Sequence, residues 1–239
     1  MAPMQTATVN VATTQGRMPL YDVRPDGQAK GAIVVIQEAF GVNDHIEDVT
    51  RRFGAEGYRA VAPHLYYRTG DGVIAYGNFQ EVMPHAGALT YNGLLDDLDA
   101  SLGYLEDAGF VAKQIGVVGF CMGGTITLFA AARLPIGAGV SFYGGGVAEG
   151  RFGMPAGVDL ARDLQAPWLG LYGDLDQSIP VVDVERLREV AAGASVPTEV
   201  VRYPDAGHGF HCDQRPDYHA SAARDAWSRA LAWFGKHLG

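Results

Sequence analysis

Apolar residues recur along this chain at two spacings, and each change of spacing marks an element. VNVAT (9–13) and MPLYDV (18–23) flank Gln15-Gly16 and predict an N-terminal hairpin. GAIVVIQ (31–37) is almost continuously apolar, the pattern of a strand covered on both faces. A polar stretch over roughly 44–56 predicts a helix started by Asn43 or Asp44 as N-cap and ended by Gly57. YRAVAP (58–63) returns to strand. Leu95, Leu98, Leu102 and Leu105 then make one stripe of a helix over 93–108, with Asp96, Asp97, Asp99 and Glu106 mostly away from it.

IGVVGF (115–120) is a second buried strand, running straight into a helix from Met122 to about Arg133. Three further strand–helix units follow at GAGVSFYG (137–144), PWLGLYG (167–173) and TEVVRYP (198–204). A last helix, about 217–238, carries Trp227, Leu231 and Phe234 on its apolar side; Trp168, Trp227 and Trp233 all read as core. Alternating β and α elements predict a single α/β domain over 1–239, with a mostly parallel central sheet and helices on both faces. In such sheets functional groups gather in loops at the carboxyl ends of strands. Only 65–92, rich in Tyr, Gly and Thr, lacks a clear period, and its length predicts a lid-like or binding segment.

Charge and composition narrow the partners. Eighteen Lys and Arg against 27 Asp and Glu give a net charge of −9 and no basic cluster, which argues against nucleic acid. No apolar run approaches the roughly 20 residues of a membrane span, and MAPMQTATVNVATTQ lacks the features of a signal peptide. Two cysteines do not make a disulfide framework. The expectation is a cytoplasmic protein with free thiols, a monomer or weak homo-oligomer that binds neither nucleic acid nor membrane.

The candidate chemistry centres on VVGFCMGG (117–124). Gly119-Phe120-Cys121-Met122-Gly123 fits G-x-nucleophile-x-G with Cys in the nucleophile position. A sharp strand-to-helix turn needs small flanking residues and sets the sulfur at a helix amino end, where the dipole favours thiolate. The Met122 N–H would face a developing oxyanion. Read alone, the motif fits a small residue packed at a tight turn better than it fits a nucleophile. The order of partners changes this, because Asp174-Leu175-Asp176 and then His208 each follow a later strand. Nucleophile, acid, base in that order is the α/β-hydrolase arrangement. Asp176, at the loop apex, is the preferred acid, with Asp174 as the alternative. Glu38 directly follows a buried strand, where a carboxylate is costly unless it is hydrogen-bonded or used; it is either a solvated loop carboxylate or a group beside the thiol that controls its protonation, with the Ala39 N–H then a second oxyanion donor.

QEAFGVNDHI (37–46), GYRAVAPHLYYR (57–68), VVGFCMGG, GDLDQSIP (173–180) and AGHGF (206–210) resemble the dienelactone hydrolase family, in the right order over about three-quarters of the chain. The resemblance implies a compact α/β-hydrolase fold acting on lactones and small esters without cofactor or metal. It implies Cys121 as nucleophile, His208 as base and Asp176 as acid. Glu38 is implied as the carboxylate that holds the thiol at rest and releases it when substrate arrives. Phe40, Tyr67, Arg68 and Phe210 are the expected substrate-binding set. Where family members that open dienelactone place an arginine four residues after the histidine, this chain has Cys212. Arg68 and Arg215 are the available replacements, though both also read as surface residues. Tyr66, Tyr76, Phe79 and Tyr91, with Tyr67, are candidates for an apolar pocket suited to a neutral substrate. The rival functions are a broad esterase or thioesterase, and a redox-sensing or binding protein on the same fold.

Overall fold

In the computed structural model, which describes residues 4–70 and 72–239, eight strands form one sheet in the order β1-β2-β4-β3-β5-β6-β7-β8. β1 (Gln5–Thr13) and β2 (Gly16–Arg24) pair as the expected hairpin, with Thr13 opposite Gly16 and Thr14-Gln15 as the two-residue turn. β2 is antiparallel to β4 (Arg59–Pro63) as well. The remaining pairs are parallel: β3 (Ala32–Ile36) with β4 and with β5 (Ile115–Phe120), then β6 (Ala138–Phe142), β7 (Trp168–Gly173) and β8 (Thr198–Tyr203) in succession. Strands β3, β5, β6 and β7 are buried along their whole length, which is why their sequences show no alternation.

The helices are α1 (Asp44–Ala55), α2 (Phe79–Gly87), α3 (Tyr91–Asp107), α4 (Met122–Arg133), α5 (Gly157–Arg162), α6 (Val181–Ala191) and α7 (Ala220–His237). Two glycines of β5 show how both sheet faces are covered. A Cβ at Gly116 would fall 2.6 Å from Phe234 of α7, and one at Gly119 would fall 2.6 Å from Thr127 of α4. Positions three apart point to opposite faces of a strand. α1 joins α7 on one face through Phe53, whose ring lies 4.6 Å from Trp227 and 6.0 Å from Phe234. α3 and α5 pack with α4 on the other, and α6 packs on α5 and β8. This is the α/β-hydrolase fold.

Two expectations need correction. Asp97 does not lie away from the buried stripe of α3: it is fully buried, because Arg68 pairs with both its oxygens at 2.7 and 2.8 Å and Tyr67 donates to it at 3.2 Å. The periodicity of α3 could not show this, since the partner lies 29 residues away. Segment 65–92 also carries regular structure: a 3-10 turn at Tyr67–Thr69 and then α2, with Asn78 as N-cap and Pro84 inside the helix. Among the described residues, no helix is long and apolar enough to cross a membrane.

Candidate active site

β5 and α4 meet at Cys121, whose backbone sits at φ 54°, ψ −114°, a conformation that costs a non-glycine residue strain. The glycines around it explain how the chain holds that turn. A Cβ at Gly119 would lie 2.0 Å from the Gly123 carbonyl oxygen, and one at Gly123 would lie 2.4 Å from that of Ile36. The amino end of α4 is therefore pressed against both its own strand and the end of β3. That contact sets the end of β3, through the Ile36 and Gln37 carbonyls, against the first turn of α4 next to Cys121. Tyr66 fixes the junction by donating to the Ala39 carbonyl at 3.0 Å, with its oxygen 3.6 Å from the Met122 sulfur. The N–H groups of Ala39 and Met122 enter no backbone hydrogen bond among the described residues.

The loop after β8 carries His208, and the loop after β7 carries the aspartate it meets. His208 Nδ1 lies 2.6 Å from Asp176 Oδ2, while Asp176 Oδ1 accepts from the Ser178 N–H at 2.8 Å and its hydroxyl at 2.7 Å. Burial raises the Asp176 carboxyl, but His208 and Ser178 outweigh it and hold the group below its usual range. Asp174, the alternative acid, is engaged elsewhere: Arg202 grips both its oxygens at 2.7 and 2.6 Å. At His208, burial disfavours the imidazolium, yet the charge of a Cys121 thiolate and the Asp176 hydrogen bond raise its pKa to about 10. Thiol, imidazole and carboxylate thus form one electrostatic unit.

Glu38 is fully buried, with Oε1 3.5 Å from Arg215 Nη1 and Oε2 without a partner. Arg215 therefore corrects the reading of that residue as surface: its side chain is only 13% exposed and its guanidinium lies 5.9 and 5.6 Å from the ring centres of Phe40 and Tyr76. Burial and the Glu38 charge push the Cys212 thiol up to about 11, so it stays protonated at neutral pH. Its sulfur lies 3.3 Å from the Tyr76 hydroxyl, and both cysteines are free.

Other expected contacts are not brought together. The Arg68 guanidinium is paired with Asp97, and the Tyr67 hydroxyl is hydrogen-bonded to Asp97 and Thr13. Phe210 is fully buried among Phe142, Tyr143 and Tyr203 and has no free face. Phe40 is nearly buried but packs on Tyr76 and Phe79 beside Arg215, at the site. Tyr143 is the residue the sequence concealed. It stands at φ 39°, fully buried, with its ring 5.2 Å from that of His208 and its hydroxyl unpartnered. Burial first, then the Glu38 charge, keeps that phenol neutral. In the run SFYG it is indistinguishable from the end of a buried strand.

Comparison with known proteins agrees with this architecture. The sequence model of the dienelactone hydrolase family matches residues 18–238. A Methylorubrum extorquens AM1 protein, provisionally assigned as a carboxymethylenebutenolidase, is 41% identical over 234 residues, 96% of this chain and 80% of its own. A Salmonella typhimurium LT2 protein with the same provisional assignment is 42% identical over 231 residues, 93% of this chain and 84% of its own. A crystal structure provisionally assigned as a dienelactone hydrolase from Klebsiella pneumoniae superposes with a TM-score of 0.90 at 37% identity, over 98% of this chain and 99% of the other. The chain belongs to the dienelactone hydrolase family and is a hydrolase with the α/β-hydrolase fold.

Proposed function

We propose that this protein is a cysteine hydrolase of lactones or small carboxylic esters that works through an acyl-enzyme on Cys121 and needs no cofactor. The observation that carries the proposal is a strained Cys121, at the amino end of α4, whose charge acts on a histidine hydrogen-bonded to a buried aspartate at 2.6 Å. The Cys121 thiolate attacks the substrate carbonyl. The Ala39 and Met122 N–H groups receive the oxyanion, and the imidazolium of His208 protonates the departing oxygen. With its proton given up, His208 draws a proton from water, which attacks the thioester and frees the acid and the thiolate. Asp176 keeps the imidazole in the required orientation and tautomer.

The thiolate is itself a good leaving group, so a tetrahedral intermediate with a poor alkoxide leaving group collapses back to substrate. Activated esters and enol-lactones, which release a stabilised oxyanion, suit this site best. Arg215 already faces the Glu38 carboxylate, so the cation at the site is largely spent within the protein. This favours neutral substrates over carboxylate-bearing ones. Segment 65–92 supplies Tyr66 and Tyr76 to the same region and serves as the lid. The test is a panel of p-nitrophenyl esters and enol-lactones assayed with wild type and Cys121→Ala. Activity on the panel should fall to background in Cys121→Ala, and full activity in that variant would sink the mechanism.

A further inference from the structure

Behind the elbow, on the face covered by α1 and α7, three rings form a column from the surface to the residue before the nucleophile. Trp227 stacks on His211 at 5.8 Å and 29°, and His211 stacks on Phe120 at 5.3 Å and 30°. The outer end opens into a pocket of about 290 Å³ lined by Arg52, His211, Tyr218, Arg224 and Trp227 among others. That volume is at the small end of ligand sites, enough for a single ring with one substituent. Phe120 and His211 stand between the pocket and the elbow, so it is a separate place from the thiol site.

The charges in the pocket are unequal. The Arg52 guanidinium lies 2.6 Å from both Asp48 and Asp213, and its charge is compensated. Arg224 is exposed, and its guanidinium has no ion pair or hydrogen bond among the described residues. His211 is 97% buried, by its 3% exposure, and its Nδ1 has no partner. Burial, reinforced by His45 and Arg52, lowers its pKa to about 3, so it adds no positive charge at neutral pH. The pocket therefore offers one uncompensated guanidinium, a half-buried indole and a phenol ring, with a neutral imidazole at its floor.

We infer that this pocket is a second small-molecule site, for an aromatic monocarboxylate. The planar ring lies against Trp227 and Tyr218, and the carboxylate takes the fork of Arg224. A phosphate alone would leave the aromatic walls unused, and a neutral ring would leave Arg224 unpaired. Neither feature depends on the chemistry proposed for Cys121.

Calorimetric titration of the full chain with benzoate tests this, with acetate, benzamide and inorganic phosphate as comparison probes. Benzoate should bind saturably at one site, and each comparison probe should bind at least about tenfold more weakly. Arg224→Gln, an exposed substitution that leaves the fold intact, should weaken benzoate about tenfold, and Arg224→Lys should restore part of that loss. Absence of saturable binding, undiminished binding in Arg224→Gln, or phosphate or acetate binding as tightly as benzoate would overturn the inference.

Discussion

His208 stands under opposed influences: burial works against its charge, while the Cys121 thiolate and Asp176 favour it and raise its pKa from 6.5 to about 10. A folded pKa above the unfolded one stabilises the native state fully below pH 6.5, and that contribution fades as pH rises toward 10. Proton NMR of the His208 ring should accordingly show one titration near pH 10 in wild type and a lower midpoint in Cys121→Ala, which removes the thiolate. An ordinary midpoint in wild type would break the proposed thiolate–imidazolium pair. The two aspartates of the β7 loop should separate by effect. Asp176→Asn should lower kcat by about 10³- to 10⁴-fold, through loss of the imidazole's orienting acceptor. Asp174→Asn should leave kcat nearly unchanged and act on stability, because its partner is Arg202. Steady-state kinetics on an activated ester decides between them. Glu38 and Arg215 form a further pair. Arg215→Met should cost about 3 kcal/mol in urea unfolding by stranding a buried carboxylate, and adding Glu38→Gln should recover most of it.

The elbow is an element-scale device, since β3, β5 and α4 all have to meet for Cys121 to hold its conformation. Gly123→Ala would drive a methyl group to 2.4 Å from the Ile36 carbonyl and 2.7 Å from that of Gln37. A cost of about 3 kcal/mol or more is expected, read as a lowered urea midpoint, and near-neutral behaviour would mean that this junction is loose. Most elements were legible in the sequence because their burial is uniform: the apolar runs at 31–37, 115–120 and 167–173 coincide with β3, β5 and β7. The elbow was legible for a related reason, because close backbone approach requires the glycines that flank the cysteine. Asp97, Arg215 and Tyr143 were not legible. Each owes its burial to partners far away in sequence, and a charged residue or a tyrosine at a strand end carries no local sign of such a partner. Phe210 failed in the opposite sense: its position beside the histidine suggested a substrate contact, whereas the strand after β7 and the β6 aromatics had already enclosed it.

Across the whole molecule, two buried histidines on the α1–α7 face oppose the sign of His208. Burial lowers both His45 and His211, the latter to about 3. A histidine whose folded pKa is depressed stabilises the native state above its unfolded pKa, and this is lost as pH falls from 6.5 toward 3. Replacing His211 with Phe should therefore reduce the steepness of acid destabilisation by up to about 1.4 kcal/mol per pH unit, measured as urea unfolding at a series of pH values. An unchanged slope would show that His211 is not charged on acid unfolding. Membership of the family gives hydrolysis as the class of reaction, and the identity of the covalent intermediate is what the account stands on. The most direct measurement is intact-mass spectrometry of the enzyme, acid-quenched during turnover of a p-nitrophenyl ester. The account predicts one added acyl group, mapped to Cys121 and abolished by Cys121→Ala. Turnover with no acyl adduct on Cys121 at any quench time would contradict it.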